Sequence, residues 1–198
     1  MSDQKRKYEK KRRAEAEAQT RRRITESAVE LHGTLGPSRT SMSAVAEHAK
    51  LPRSTVYRHF ADERALFGAC SAHWMAENPP PDVTAWEKVA DPDERLEVAL
   101  AELYPYYRRA GAMLDKLLRD EAQVPMVAEL FAPYHQLMEL STEILMRGRG
   151  LRGRARNRTR AAIAHAIAFR TWQQLTREGG LSDAGAEELM RRLVAAAA

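Results

Sequence analysis

The apolar positions between residues 24 and 60 follow three short helical patterns separated by turn-forming residues. The first is an amphipathic run that ends at Gly36-Pro37, and the second repeats its apolar positions every three or four residues from Met42 to Ala49. Ser41 can cap the second helix, because its hydroxyl can accept a hydrogen bond from an otherwise unpaired backbone N–H. The pattern therefore predicts two consecutive helices, with a turn and a third helix after them.

The third pattern has an outer face rich in hydrogen-bond donors. Leu51 fills the turn, and Pro52 suits the start of a helix, where its missing N–H would be unpaired anyway. Val56 and Phe60 lie four residues apart and face the core. The residues that face other ways are Arg53, Ser54, Thr55, Tyr57, Arg58 and His59. This arrangement predicts a helix-turn-helix whose last helix enters a DNA major groove; an ordinary helical hairpin with a solvated face is the alternative.

The same segment resembles the tetracycline-repressor-like (TetR) family of transcriptional regulators. The positions that carry the resemblance are Arg23-Ile24, Ala28, Leu31, Gly36, Thr40-Ser41, Val45-Ala46, Ala49, residues 54–60 and Ala65-Leu66-Phe67. Most specific is Thr-Val-Tyr-Arg-His-Phe at residues 55–60, and the resemblance covers roughly the first third of the chain. It implies that Tyr57 and His59 contact DNA phosphates and that residues 53–55 read bases. Thr40, Ser41 and Arg58 complete the DNA-binding surface that we expect.

Two positions depart from the pattern of the family. Lys50 stands in the turn where the family usually has Gly, and a left-handed backbone at Lys50 would cost about 1–2 kcal/mol. Glu63 stands where the family favours a Lys that meets a phosphate. A carboxylate there repels the phosphate, and Arg64 could replace the contact only if the start of its helix is rotated. Asp62 is expected to cap that helix.

The net charge of +5 is concentrated in the N-terminal part of the chain. Residues 1–60 contain 14 Lys and Arg against 7 Asp and Glu, whereas the remaining residues contain 18 and 20. Such a concentration of basic residues is expected in a segment that binds nucleic acid with release of counterions. The alternative is a charged, solvated tail. We expect a basic arm over residues 1–19, its outermost part disordered without DNA. The Ala-Glu repeat after Arg13 also allows an earlier start of the first helix.

The chain beyond Phe67 reads as helix throughout, with Gly and Pro marking the ends. No alternating strand pattern occurs, so we predict an all-α protein with about nine or ten helices. The predicted organisation is the arm, a three-helix helix-turn-helix DNA-binding domain over residues 20–66, and a larger helical ligand-binding and dimerisation domain over residues 67–198. Pro105 and Pro133 lie inside helical patterns and predict kinks or breaks.

Aromatic, His and Met side chains in the larger domain are candidates for lining a small-molecule site. They are Trp74, Tyr104, Tyr107, Phe131, His135 and Met138. At helical spacing such side chains can equally fill a core, so the residues alone leave both interpretations open. The resemblance favours a cavity, because TetR-like regulators typically bind a small effector in this region. We expect an apolar or aromatic compound.

The last two helical patterns predict a dimer interface. The candidate interface residues are Ala161, Ala164, Ala168, Trp172, Leu189 and Leu193. Small residues permit close approach of helices, and Trp172 is a candidate anchor. Two helices from each subunit would form a four-helix bundle around a twofold axis. The alternative is that both patterns pack inside the monomer.

Other signals narrow the function. A single cysteine, Cys70, excludes an internal disulfide, and the absence of an apolar run of about 20 residues or a secretion signal favours the cytoplasm. Cys70 and His73 lie one helical turn apart, but zinc needs three or four ligands, so we predict no metal and no cofactor. The glycine pattern at residues 148–153 lacks the preceding strand that dinucleotide binding requires.

These observations together predict a homodimeric, ligand-responsive transcriptional regulator that binds a pseudo-palindromic DNA operator, most simply as a repressor. The protein is not expected to be an enzyme, because no paired carboxylate, nucleophile elbow or phosphate-binding loop stands out. The alternatives are a nonspecific nucleic-acid-binding protein and a helical enzyme with its active site among the C-terminal aromatic residues.

Overall fold

A computed structural model describes residues 2–198 of the chain, with side chains from residue 4 onward. Nine α-helices, two 3-10 turns and one π-helical turn account for the regular structure in this range, which contains no strand. The prediction of an all-α protein with nine or ten helices is therefore confirmed. No helix within residues 2–198 is long and apolar enough to cross a membrane.

The helices follow one another with short connections. They are α1 (Ser2–Thr34), α2 (Met42–His48), α3 (Arg53–His59), α4 (Glu63–Glu77), α5 (Pro92–Asp120), α6 (Pro125–Met146), α7 (Gly153–Ala166), α8 (Phe169–Gln173) and α9 (Asp183–Ala196). The 3-10 turns are Pro37–Arg39 and Val83–Lys88, and the π-helical turn Gln174–Glu178 continues α8.

The chain divides into two compact units. The N-terminal unit contains residues 1–77 together with residues 116–127, and the C-terminal unit contains residues 78–115 and 128–198. The predicted domain boundary between residues 66 and 67 falls inside α4, whose buried side chains Leu66 and Cys70 belong to one core. The end of α5 and the start of α6 also join the N-terminal unit, which local sequence patterns did not indicate.

The core of the N-terminal unit is formed by the apolar faces of α1 to α4. Its buried members are Ile24, Ala28, Met42, Val45, Ala46, Val56, Phe60, Leu66 and Cys70. The predicted caps are present, since the Ser41 hydroxyl accepts from the Ala44 N–H at 3.2 Å and Asp62 Oδ1 accepts from the Ala65 N–H at 2.7 Å. All four helices share this apolar core, and short polar caps mark the starts of two of them, α2 and α4.

The N-terminal arm is helical, as the Ala-Glu repeat allowed. Residues 2–19 are the first part of a continuous 33-residue helix, α1, so the disorder expected of the outermost residues was wrong from Ser2 onward, and Met1 lies outside the described range. The residues that follow the basic run, Ala14 to Ala18, alternate Ala and Glu, and both types favour helix. Lys11 and Glu15 add an ion pair one turn apart, with Nζ and Oε1 separated by 3.8 Å.

The C-terminal unit contains two long helices that run through their prolines. The sequence predicted kinks or breaks at Pro105 and Pro133; α5 and α6 continue past these prolines, so neither helix is broken there. A proline removes one backbone hydrogen bond from a helix. In α5 the fully buried side chains of Tyr104 and Tyr107 flank this position and hold the helix against its neighbours.

The first of the two C-terminal helical patterns, which carries Ala161 to Trp172, is interrupted at Ile167 and Ala168, where α7 ends and α8 begins. This break leaves carbonyl oxygens without helical partners, and two tyrosines of α5 supply donors. The Tyr104 hydroxyl donates to the Ala166 carbonyl at 2.9 Å, and the Tyr107 hydroxyl donates to the Ile167 carbonyl at 2.5 Å. Burial raises the pKa of both phenols, so the hydroxyls keep the protons that they donate.

Candidate functional site

The candidate DNA-reading surface is the outer face of α3. Arg53, Ser54, Tyr57 and Arg58 are exposed on this helix, and Thr55 is half-buried. The opposite face is fixed, because the Val56 side chain is completely buried in the core of the N-terminal unit. The helix therefore presents its donors on one side and is held by the other, as a major-groove reader requires.

The side chains of Arg53 and Tyr57 are held together at the start of this surface. Arg53 Nη2 donates to the Tyr57 hydroxyl oxygen at 3.3 Å, and the guanidinium carbon lies 5.5 Å from the centre of the Tyr57 ring. This contact uses the oxygen of the phenol as an acceptor and leaves its proton free to donate. One turn of α3 thus combines a forked cation with a hydroxyl donor.

The end of α3 is joined to α1 through Arg21. The Arg21 Nη1 group donates to the His59 carbonyl oxygen at 2.6 Å, and its guanidinium lies 4.1 Å from the centre of the Phe60 ring. The His59 Nε2 atom is buried and has no hydrogen-bond partner among the residues that the structure describes. A phosphate contact of His59 would therefore use Nδ1 or follow a rotation of the ring.

Thr40 and Ser41 lie at the start of α2, and both hydroxyls take part in local structure. The Thr40 hydroxyl donates to the Gly36 carbonyl at 2.8 Å, so its proton is already used. The Ser41 hydroxyl accepts a hydrogen bond as the cap of α2 and is exposed, which leaves its proton available to an outside acceptor. Of this pair, Ser41 is the better placed to bind a phosphate.

The turn between α2 and α3 contains the strained position that the sequence indicated. Lys50 has a φ of +52°, the left-handed conformation that a glycine adopts without cost. The second departure, Glu63, is the exposed first residue of α4, and Arg64 beside it is also exposed. A carboxylate at the first turn of a helix is favourable for the helix dipole, which gives Glu63 a role in the stability of α4.

The end of α5 supports the loop that leads into α2. The Asp120 carboxylate accepts hydrogen bonds from the Ser38 N–H at 2.9 Å and from Arg119 Nε at 2.7 Å, while Arg119 Nη2 donates to the Leu35 carbonyl at 2.9 Å. Burial raises the pKa of Asp120, but the hydrogen bonds from Arg119 and Ser38 outweigh it and hold the pKa below its ordinary value. The loop is thus tied down by an ionised side chain.

Gly36 allows this close contact. Its φ is +95°, and a Cβ atom at this position would lie 2.3 Å from Arg119 Nη2 and 2.5 Å from Asp120 Oδ2. Sequence reasoning recognised Gly36 only as the end of a helix and missed Arg119 and Asp120 altogether. More than 80 residues separate Asp120 from Ser38, so no local pattern could have revealed the contact.

Comparison with known proteins identifies the domain that carries α1 to α4. Residues 24–70 match the model of a family described as bacterial regulatory proteins, tetR family. Residues 24–70 form a TetR-family domain. The resemblance predicted from the sequence is thereby confirmed, and the matched range contains α2, the strained turn and α3. No curated protein sequence is significantly similar to the chain.

Solved structures extend the TetR-like fold to most of the chain. A TetR-like transcriptional regulator from Rhodococcus sp. RHA1 superimposes with a TM-score of 0.63 and 20% identity, covering 88% of this chain and 93% of that one. HlyIIR, a hemolysin II transcriptional regulator, superimposes with a TM-score of 0.59 and 17% identity, covering 91% of this chain and 97% of that one. At these identities the likeness concerns the fold.

The candidate effector residues fall into two groups in this TetR-like fold. Trp74 lies on α4 in the N-terminal unit, and the other five belong to the C-terminal unit. The Tyr107 hydroxyl contacts the Met138 sulfur at 3.5 Å, and the Phe131 and His135 rings are 5.5 Å apart. Sequence reasoning left Tyr134 out of the candidates, although its ring stacks on Phe131 at 4.6 Å and lies 5.6 Å from the His135 ring, measured between ring centres.

These aromatic side chains are packed against one another. Tyr107 lies 5.5 Å from Phe169 and 6.0 Å from Trp172, measured between ring centres. Tyr104 and Tyr107 are fully buried, whereas His135 is exposed. In this conformation Tyr104 and Tyr107 therefore belong to a filled core, and a ligand that contacts them must displace neighbouring side chains.

The candidate dimer residues separate into surface and interior positions. Leu189 and Leu193 are 43% and 40% exposed on α9, and Ala161 and Ala164 are exposed on α7. Ala168 is half-buried and caps α8. Trp172 is only 2% exposed, and its Nε1 donates to Asp183 Oδ1 at 3.0 Å. The expectation that Trp172 anchors the interface was wrong, because its own subunit buries it.

Proposed function

We propose that this protein is a sequence-specific transcriptional regulator that binds a pseudo-palindromic operator as a homodimer and represses transcription until a small effector binds. The observation that carries the proposal is the outer face of α3, where Arg53, Ser54 and Tyr57 are exposed on a helix whose other side is buried. The TetR-family match over the same residues supports it.

In this proposal the first residues of α3 contact bases, and residues later in α3 and at the start of α2 contact phosphates. Arg53 can pair with both acceptors of a guanine edge, while Ser54 and Thr55 suit shorter contacts to bases. Phosphate contacts then come from Tyr57, Arg58 and His59 and from the hydroxyl of Ser41. A seven-residue helix is about 10 Å long and reads only a few base pairs, so two copies about 34 Å apart are needed for specificity.

Dimerisation would join the exposed faces of α7 and α9 from two subunits. Leucine side chains such as Leu189 and Leu193 gain free energy when they are removed from water, and Ala161 and Ala164 allow the helices to approach closely. Sedimentation equilibrium of the wild type and of the Leu189→Glu, Leu193→Glu double variant tests this interface. A wild-type protein that stays monomeric would contradict it.

The effector is expected to be apolar or aromatic and to act in the cytoplasm through the aromatic residues of the C-terminal unit. Because Tyr104, Tyr107 and their neighbours fill the space between them, the effector selects a conformation in which they have repacked. A coupling of about 1–3 kcal/mol between effector and operator would be typical. An effector that binds without changing operator affinity would refute this part of the proposal.

The experiment that tests the proposal is the selection of bound sequences from random DNA duplexes. The wild type should enrich one inverted repeat, and Arg53→Ala should relax the preference at one base pair in each half-site at a cost of about 1–3 kcal/mol. Arg152→Ala, which removes an exposed arginine outside the TetR-family domain, is the control. Equal affinity for unrelated sequences would favour a nonspecific DNA-binding protein, and turnover of a substrate independent of DNA would favour an enzyme.

A further inference from the structure

The first part of α1 is a helix without a partner in its own unit. Residues 4–19, which we call the basic extension, are exposed at every position, and the buried face of α1 begins only at Ile24. Sixteen residues of α-helix correspond to about 24 Å. A helix that is polar all around bridges to another body, depends on many side-chain pairs or is unstable on its own, and Lys11–Glu15 is an isolated pair here.

The charge of the basic extension indicates what it binds. Between Gln4 and Arg13 there are seven basic residues and one acidic residue, Glu9. The basic residues are Lys5, Arg6, Lys7, Lys10, Lys11, Arg12 and Arg13. Only Lys11 makes an ion pair within the part of the chain whose side chains are described. So dense a positive charge on one exposed helix, with Lys11 alone ion-paired among its described side chains, fits a regular array of negative charges.

The position of the basic extension relates it to the DNA-reading helix. Arg21 lies on α1 within five turns of the far end of the basic extension. Its guanidinium donates to the His59 carbonyl at the end of α3 and stacks on the Phe60 ring. At 1.5 Å per residue, Arg13 and Lys5 lie about 12 and 24 Å from Arg21 along the axis. One turn of duplex DNA is about 34 Å, so these side chains can reach phosphates within a turn of the bases that α3 contacts.

We propose that the basic extension binds the phosphate backbone of the DNA that flanks each half-site. The proposal rests on the proposed function of α3 and adds a second, sequence-independent contact to it. Because counterions are released at each neutralised phosphate, the extension raises affinity and makes it more dependent on salt. An anionic membrane is a poorer partner, since the extension has no apolar face: Tyr8 is its one large apolar side chain among the described positions.

The test compares two charge-matched variants of the full chain. One replaces Lys10, Arg12 and Arg13 of the extension with Gln, a residue that preserves helix formation. The control replaces Arg152, Arg154 and Arg156 with Gln; these are three exposed arginines of the C-terminal unit. Each protein is titrated with a duplex trimmed to the selected site and with one carrying about one additional helical turn of DNA on each side. Circular dichroism checks that the helix is retained.

On the long duplex the extension variant should lose up to about 5 units from the slope of log affinity against log salt, because a dimer loses six basic side chains and each lost phosphate contact contributes about 0.9. The trimmed duplex and the control variant should show little change, and the base preference should be unaltered. An unchanged slope on the long duplex, or an equal change in the control, would overturn the proposal. Binding to phosphatidylserine vesicles that is lost in the extension variant, with the DNA slope unchanged, would assign the extension to membranes instead.

The same data separate this proposal from the function of α3. If the wild type binds every duplex equally, sequence-specific operator binding is refuted. The difference in salt slope between the two variants still shows whether the basic extension binds phosphates. A wild type with a clear preference and no dependence of the slope on the extension supports the operator and overturns the extension.

Discussion

Tyr57 and Tyr107 show that the two units use the same side chain in opposite ways. Tyr57 is 42% exposed on α3, and its hydroxyl keeps a proton for an outside acceptor. Tyr107 is fully buried, and its hydroxyl is used within the protein, on the carbonyl that the break between α7 and α8 leaves unpaired. If the proposed function is right, the candidate DNA-reading surface needs no rearrangement to bind DNA, whereas the aromatic core would have to rearrange before it could accept an effector.

This difference predicts where substitutions act. Changes on the outer face of α3 should alter affinity for DNA and leave the free energy of unfolding nearly constant. Changes among the groups that support α3, or that hold the junction of α7 and α8, should instead lower the free energy of unfolding. The variants below test this contrast in order of the expected effect.

Gly36→Ala should have the largest effect, a loss of about 3 kcal/mol in the free energy of unfolding. The backbone of Gly36, at φ +95° and ψ 159°, lies in a region that costs other residues about 1–3 kcal/mol, and the new methyl would overlap Asp120 Oδ2. Denaturant titration gives the measurement. Gly68→Ala is the control, because a Cβ there meets nothing within 4 Å and should stabilise α4 by up to about 1 kcal/mol.

Equal stability of the Gly36→Ala variant and the wild type would mean that the loop before α2 is not held by Arg119 and Asp120. The proposed support of the helix-turn-helix by the end of α5 would then be refuted.

Tyr107→Phe and Tyr57→Phe make the comparison directly, since each removes one hydroxyl. Tyr107→Phe leaves the buried Ile167 carbonyl without its donor and should cost about 1–3 kcal/mol of unfolding free energy. Tyr57→Phe should change stability by less than about 0.5 kcal/mol, because its hydroxyl is exposed, but should weaken binding to all duplexes alike. Denaturant titration gives the unfolding free energy of each variant, and DNA titration gives its affinity for the duplexes. The reverse outcome for either tyrosine would contradict the contrast.

His32 predicts a dependence of stability on pH in the N-terminal unit. The ring is 6% exposed and 5.1 Å from the Phe67 ring, and burial lowers its pKa from 6.5 to about 4. Below pH 6.5 the unfolded chain binds a proton that the folded chain does not bind. Stability should therefore fall with decreasing pH, by up to about 1.4 kcal/mol per unit, until about pH 4.

Replacing the ring isolates this contribution from the other titrating groups. His32→Leu should flatten the decline in unfolding free energy between pH 6.5 and 5, whereas His135→Gln, at an exposed position, should leave it in place. Identical pH profiles for the wild type and His32→Leu would show that the His32 ring is not buried in the folded protein.

Local signals in the sequence were sufficient for the helix-turn-helix. The caps Ser41 and Asp62 and the buried pair Val56 and Phe60 depend on neighbours within four residues, and each was predicted correctly. The long-range features were not predictable in this way. Two examples are the hydrogen bond between Asp120 and the loop before α2 and the one between Tyr107 and Ile167. Each joins residues at least 60 positions apart, so no local spacing in the sequence predicts it.

Two errors have a different origin. The outermost part of the basic arm was expected to be disordered because it is terminal, yet α1 extends back to Ser2, further than the helix-forming Ala-Glu repeat after Arg13 alone indicated. Trp172 lies on the same predicted stripe as residues that are exposed, but the break before α8 turns its ring inward to Asp183. The second error arises because periodicity identifies a face of a helix but not the body that covers it.

Lys50→Gly should have the smallest effect and the opposite sign. At φ +52° Lys50 pays about 1–2 kcal/mol of strain, and Gly removes it but adds freedom to the unfolded chain, so a gain of up to about 1 kcal/mol in unfolding free energy is expected. Lys50→Ala, which keeps the strain and removes the exposed charge, is the control. If Gly and Ala raise the free energy of unfolding equally, the charge of Lys50 rather than its backbone limits the stability of the turn. A gain confined to Gly would locate the strain in the turn that directly precedes α3, the helix proposed to read DNA.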